Sequence, residues 1–164
     1  VDRYLQTDGF YVSKAKRVAL IFILILYGGK VQIKKSSDID LVRGLHQKIF
    51  PLDEPDLLET DQFWIVYSDR DKPVGFCSVR PLEYKTAYFN WAGLLEEAQG
   101  KGLHRRMIYT REKWCRRIGF KYIVTYTVID NIQSSRNLLK CNYDLYLPEH
   151  YWAEKNSLYF QKKL

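Results

Sequence analysis

Residues 93–104 read Gly-Leu-Leu-Glu-Glu-Ala-Gln-Gly-Lys-Gly-Leu-His, a short apolar run that ends in a glycine-punctuated turn and opens directly into a helical pattern. Glycines at this spacing, Gly100 and Gly102, let backbone amides approach an anion closely. The helix after the turn adds its free N–H groups and the positive end of its dipole. The stretch therefore has the chemistry of a phosphate cradle, although such a turn also serves as plain helix punctuation. No G-x-x-x-x-G-K-[ST] occurs, which excludes a P-loop, and the glycines do not form G-x-G-x-x-G at the start of a βαβ unit, which disfavours a dinucleotide fold.

At 164 residues the chain fits one compact domain with a sizeable core, and 46% hydrophobic with 15% aromatic content excludes a disordered one. The net charge of +7 suits an anionic partner: a nucleic acid, a membrane surface or a polyphosphate cofactor. Five basic residues (Arg3, Lys14, Lys16, Arg17, Lys30) and two acidic ones (Asp2, Asp8) put +3 of that +7 in residues 1–30. The remainder is only mildly basic, so nucleic acid is disfavoured as a partner. Cys77, Cys115 and Cys141 are an odd number without metal-ligand spacing, and each falls within an expected strand or helix. They read as buried reduced thiols of a cytoplasmic protein. His46, His104 and His150 are scattered, and nothing points to a metal site.

Residues 1–30 differ from the rest. Lys14, Lys16 and Arg17 precede an unbroken apolar run over residues 18–27. The run is too short to span a bilayer as a helix, and no small-residue cleavage site comes after it. These residues are read as an N-terminal extension, and residues 31–164 as the domain.

Within the domain, residues 31–34 alternate as a strand does. Ser36, Ser37 or Asp38 can cap a helix to about Phe50, with Ile39, Val42, Leu45, His46 and Ile49 on one face. The acidic residues 53–59 are expected to form a short second helix. Strands are expected at 63–67, 74–79 and 87–95, the last leading into the glycine turn. A helix over about 102–118 places Leu103, Met107, Thr110, Trp114 and Ile118 on one face and ends at Gly119. A β-branched strand at 122–129, a helix from Asp130-Asn131 to Cys141, and strands at 145–146 and 158–160 complete the chain. The order β-α-α-β-β-β-α-β-α-β-β describes an α+β domain without internal repeats.

Two segments together resemble the GNAT superfamily of N-acetyltransferases. Gln99-Gly100-Lys101-Gly102 is similar to the family's acyl-CoA pyrophosphate loop after its fourth strand. Asn131-Ile132-Gln133-Ser134, continuing to Leu138 and Asn142-Tyr143, is similar to the N-x-x-[AS] segment after its fifth strand. The element order agrees over residues 31–164. The resemblance implies a mixed central sheet, flanked by helices, whose fourth and fifth strands splay apart. It further implies that Leu94 and Leu95 offer strand-edge backbone groups to the pantetheine arm of acetyl-CoA. Gln99, Gly100, Lys101, Gly102, Leu103 and His104 would surround the pyrophosphate. Lys101, Arg105 or Lys140 would meet the phosphates, and Asn131 with Ser134 would contact the pantetheine arm.

The sequence departs from the family pattern at several positions. Glu97 stands where Arg or Gln is frequent, and His104 where a small residue is usual. Leu138 stands where many members place a general-acid tyrosine, and Tyr126 where others place a glutamate. Tyr126 is the expected proton-handling residue because its phenol would lie beside the thioester; the competing reading is a core aromatic. Asn90 is expected to position a water. The implied reaction is direct transfer, in a ternary complex, of an acetyl group from acetyl-CoA to a primary amine of a small molecule or protein. The alternatives are a non-catalytic acyl-CoA-binding module and a basic nucleic-acid-binding protein using the arginines at 105, 106, 116 and 117. The resemblance also makes a homodimer an expectation.

Overall fold

A computed structural model describes residues 30–153 and 156–164. The extension read at residues 1–30 lies outside them, Lys30 apart. In chain order the elements are β1 (Gln32–Ser36), α1 (Ile39–Ile49), β2 (Gln62–Tyr67), β3 (Pro73–Pro81), β4 (Thr86–Tyr88), β5 (Ala92–Leu94), α2 (Leu103–Ile118), β6 (Tyr122–Val128), α3 (Ile132–Lys140), β7 (Asp144–Tyr146) and β8 (Ser157–Lys163). The strands form one mixed sheet in the order β1-β2-β3-β4-β6-β8-β7, with β5 attached to β3. Among the described residues only the β4–β6 pair is parallel. A parallel pair needs a long crossover, and α2 lies within it.

The apolar run of β2 is buried on both faces because helices cover both sides of the sheet. Phe63 and Ile65 pack with Val42 and Leu45 of α1, and Phe76 joins them. Trp64 and Val66, one residue out of phase, belong to the other cluster with Met107, Ile108 and Cys115 of α2. This alternation is the period of two a strand imposes. Of the three cap candidates, Asp38 caps α1, accepting the Leu41 N–H at 2.9 Å. His46 is buried among the rings of Phe50, Phe76 and Trp91, and burial lowers its pKa, so it packs as a neutral aromatic.

The strand expected over 87–95 is broken in two. Register pairs Arg80 with Tyr88 and Cys77 with Ala92, so three steps on β3 oppose four on its partner. That is a one-residue β-bulge, which bends a strand and re-aims the residues beyond it. Before the bulge β4 pairs with β6, and the last main-chain bond between these segments is Phe89 N–H to Val124 O at 3.0 Å. Beyond it β5 stays with β3 while β6 continues beside β8. The cleft between β5 and β6 is the splay that the resemblance implies. Gly75 and Gly93 keep β5 close to its neighbours: a Cβ on Gly75 would meet the Gly93 carbonyl oxygen at 2.6 Å, and one on Gly93 would meet Ile49 Cγ2 at 2.5 Å.

Two expectations are corrected. Residues 53–59 form no helix. Pro55 lacks an N–H and biases Glu54 away from helical angles. The Asp56 carbonyl instead accepts from Arg80 Nη2 (3.0 Å), Asn90 Nδ2 (3.2 Å) and Trp91 Nε1 (3.2 Å). The buried face of α2 is also rotated from the one read by periodicity: Ile118 is exposed, whereas Ile108, Arg111, Glu112 and Cys115 are buried. Two charged residues on that face hid it from an apolar pattern.

Candidate active site

The three helices begin differently. Asp38 caps α1, and Asn131 caps α3 through its Oδ1, which accepts the Ser134 N–H at 3.1 Å. The sixteen-residue α2 has Gly102 at its N-cap position, with no side chain to serve as a cap, and its first turn holds no acidic residue. Glycine in place of a capping side chain costs only about a few tenths of a kcal/mol, and it leaves the first amides and the positive dipole end directed outward. Gly100 (φ 71°) and Gly102 (φ 70°) are both left-handed, and nothing lies within 4 Å of where a Cβ would stand on either. The loop thus presents uncapped N–H groups to open space.

That space is a groove of about 710 Å3. Gln99, Gly100, Gly102, Leu103 and His104 line it from the loop, and Ala92, Gly93 and Leu94 from β5. Asn131, Ser134 and Lys140 close it from α3, with Arg105 also at its wall. Residues far apart in sequence are therefore brought to one groove as expected. A deeper cavity of about 310 Å3 shares Ala92, His104, Asn131 and Ser134 with it and reaches Asn90, Trp91 and Tyr126 on the far side. A larger depression of about 850 Å3 lies elsewhere, at Lys35, Arg43, Glu59 and Phe63, away from the glycine loop. Size is outweighed there by chemistry, since the loop and the open strand edge both face the groove.

The edge of β5 has a defined polarity. Leu95 N–H donates to Val74 O, and Trp91 O accepts from Ser78 N–H, both at 2.8 Å. Alternate residues point alternate ways, so Ala92 and Leu94 turn their N–H groups away from β3 toward the cleft. This corrects the expectation for Leu95. Its N–H is taken by Val74, and its carbonyl accepts from Ala98 N–H. The expectation for the Lys101 side chain is corrected too: its Nζ donates to Glu97 O at 2.7 Å, which ties the side chain back to the turn. The Gln99 side chain likewise staples the loop, donating to Leu94 O at 3.1 Å.

His104 sits where groove and cavity meet. Its Nδ1 accepts from Asn137 Nδ2 at 3.0 Å, which leaves the proton of the neutral ring on Nε2. Burial, reinforced by the nearby Arg111 charge, pushes its pKa down to about 4, so the ring is neutral near pH 7. Tyr126 is half-buried on β6, stacked on Tyr88 with ring centroids 6.4 Å apart and edge-on to Trp152. Burial, then the neighbouring Tyr126, holds the Tyr88 phenol well above its ordinary value. Asn90 donates to Asp56 O at 3.2 Å and lines the same cavity. Sequence reasoning missed Asn137 and Arg111, which also line these spaces. Arg111 lies seven residues after His104, two helical turns on, and that spacing was the available signal.

Comparison with known proteins agrees with this geometry. A sequence model described as the acetyltransferase (GNAT) family matches residues 34–143, more than half of the chain. Among solved structures, the chain is similar to an IAA acetyltransferase from Bacillus cereus, at 12% identity and TM-score 0.70, covering 82% of this chain and 100% of that one. A Bacillus subtilis acetyltransferase in complex with CoA aligns at 14% identity and TM-score 0.69, covering 82% and 99%. A GNAT family acetyltransferase from Elizabethkingia anophelis with acetyl-CoA bound aligns at 13% identity and TM-score 0.68, covering 82% and 98%. No curated protein matches the sequence. At these identities the structural likeness is one of fold, whereas the family match rests on the sequence itself. With the bulged strand, the splayed cleft and the uncapped glycine loop all inside the matched region, the chain belongs to the GNAT acetyltransferase family.

Proposed function

We propose that the domain transfers an acetyl group from acetyl-CoA directly to a primary amine, with both substrates bound together in the cleft. The observation that carries this reading is the uncapped start of α2, opening through two left-handed glycines onto a groove that joins a second cavity. The donor set fits a pyrophosphate: backbone N–H groups, a helix dipole, and Arg105 and Lys140 at the wall. The CoA and acetyl-CoA held by the Bacillus subtilis and Elizabethkingia anophelis proteins support the same assignment. Three buried, unpaired thiols fit a reducing cytoplasm.

When bound, acetyl-CoA supplies an acyl group activated as a thioester. The Ala92 and Leu94 N–H groups, which face the cleft, would hold the pantetheine arm and stabilise charge developing on the acyl oxygen. An alkylammonium acceptor with a pKa of about 10 must lose a proton before it attacks. Tyr126 would relay that proton, passing its own hydroxyl proton to solvent as it accepts the one from the amine, or a water positioned by Asn90 would carry it away. His104 Nε2–H, at the junction, is a neutral donor available to the departing sulfur.

Acyl-CoA binding without catalysis is a second reading, favoured by Leu138. This buried hydrocarbon lines the cavity and offers no proton to a leaving group. Thiol release from acetyl-CoA, measured with a panel of amines, separates the two. Release that requires both acetyl-CoA and an amine is expected; CoA binding without release under any amine would leave only the binding module. The nucleic-acid reading is weakened because Arg106 donates to Val31 O and Arg116 pairs with Glu112.

A further inference from the structure

Arg111 is a buried cation without an acid. It is 3% exposed on α2, and no carboxylate lies within ion-pair distance of it among the described residues. The adjacent Glu112 is committed elsewhere, to Lys162 at 2.8 Å and Arg116 at 3.2 Å. Arg111 Nη1 donates to Ser78 O at 3.2 Å and Nε to Met107 O at 3.4 Å, while the guanidinium lies 4.1 Å over the Phe89 ring. These neutral partners orient the group and leave its charge uncompensated. Nη2 has no hydrogen-bond partner among the described residues.

Arg80 shows how this chain otherwise handles a partly buried guanidinium. Its Nε and Nη2 grip Asp61 as a fork at 2.8 and 2.9 Å, and Nη1 reaches Asp56 at 2.8 Å. Burying a charge unpaired is costly, and arginine is the residue suited to planar recognition of a carboxylate. Arg111 lines the cavity of about 310 Å3 with Trp91, Tyr126 and Asp53, whose carboxylate stands beyond ion-pair distance of the guanidinium. That volume suits a small ligand.

We propose that Arg111 is a carboxylate-binding position of the cleft, so that one of the two substrates carries a carboxylate into this cavity. The proposal rests on the acyltransferase reading above and narrows its substrate class. The carboxylate arrives either on the acceptor, as in an amino acid, or at the far end of the donor's acyl group, as in a dicarboxylic acyl-CoA. In both cases it replaces the missing counter-ion of Arg111, and its other oxygen is free for the polar wall of the cavity.

Calorimetry with two pairs of probes tests this. In the acceptor arm, L-amino acids and the matching amino-acid amides are titrated into the protein with and without CoA. In the donor arm, succinyl-CoA is compared with acetyl-CoA. A charge-assisted hydrogen bond in a buried site makes the carboxylate member of one pair bind about tenfold tighter or more. The arm in which the preference appears identifies the source. Arg111→Gln should abolish that preference while binding of CoA itself persists. Arg111→Lys, which keeps the charge and loses the fork, should reduce the preference and serves where the glutamine variant does not fold. Equal binding within both pairs, or a preference that survives Arg111→Gln, would overturn the proposal. Failure of CoA itself to bind would instead refute the acyltransferase reading, and the acceptor arm without CoA still decides the role of Arg111.

Discussion

Tyr126→Phe is expected to lower turnover by about a hundredfold or more with a competent amine, while the affinity for acetyl-CoA changes little. Positioned proton transfer contributes roughly 10² to 10⁴ in rate, which sets that expectation. The substitution keeps the ring that stacks on Tyr88 and meets Trp152, so the packing of β6 persists, but it removes a hydroxyl that bonds Tyr88, and a loss of stability of about 1 kcal/mol is expected. Steady-state kinetics beside a thermal melt therefore separates the two readings of this residue. Unchanged turnover in a folded variant would make Tyr126 a packing residue and leave a water held by Asn90 as the proton acceptor.

Gly102→Val is expected to weaken acetyl-CoA binding by about thirtyfold or more, measured by calorimetry. Gly102 has φ 70°, and the left-handed conformation costs an L-residue roughly 1–2 kcal/mol. No atom lies within 4 Å of a Cβ there, so collision with the protein is not the cause. The strain moves the backbone and re-aims the first amides of α2, and each hydrogen bond to a charged phosphate is worth about 1.5–3 kcal/mol. Gly102→Asn supplies the control, because asparagine accepts left-handed angles. Asn142 does so in this chain, with φ 59°, just after α3. The asparagine variant should retain most of the affinity that valine loses. Equal loss in both would mean that the open space before Gly102, rather than its backbone angle, is what binding uses.

Local signals were the legible ones. A cap among Ser36, Ser37 and Asp38 and the glycine stop at Gly119 each come from the chemistry of one or two residues, and the structure has both. The loop and the Asn131 segment, two motifs about thirty residues apart, meet across one groove. The β-bulge was not readable, since it is a relation between β3 and the β4–β5 segment rather than a property of either sequence. The errors at Leu95 and Lys101 have a similar origin. Which strand amides face the cleft depends on pairing, and a lysine beside a phosphate loop can as easily fold back onto its own turn. The acidic segment at 53–59 failed because Asp56 is held by Arg80, Asn90 and Trp91, none of which is its neighbour in sequence. Arg111 escaped notice because apolar periodicity has no place for a buried charge.

Backbone amide resonances followed during a titration with CoA report whether the start of α2 holds the pyrophosphate of acetyl-CoA. Saturable shifts are expected, largest at Gly100, Gly102, Leu103, His104 and Arg105, with smaller ones at Ala92 and Leu94. Absence of binding would contradict that role for α2, as would shifts confined to the depression at Lys35, Arg43 and Glu59.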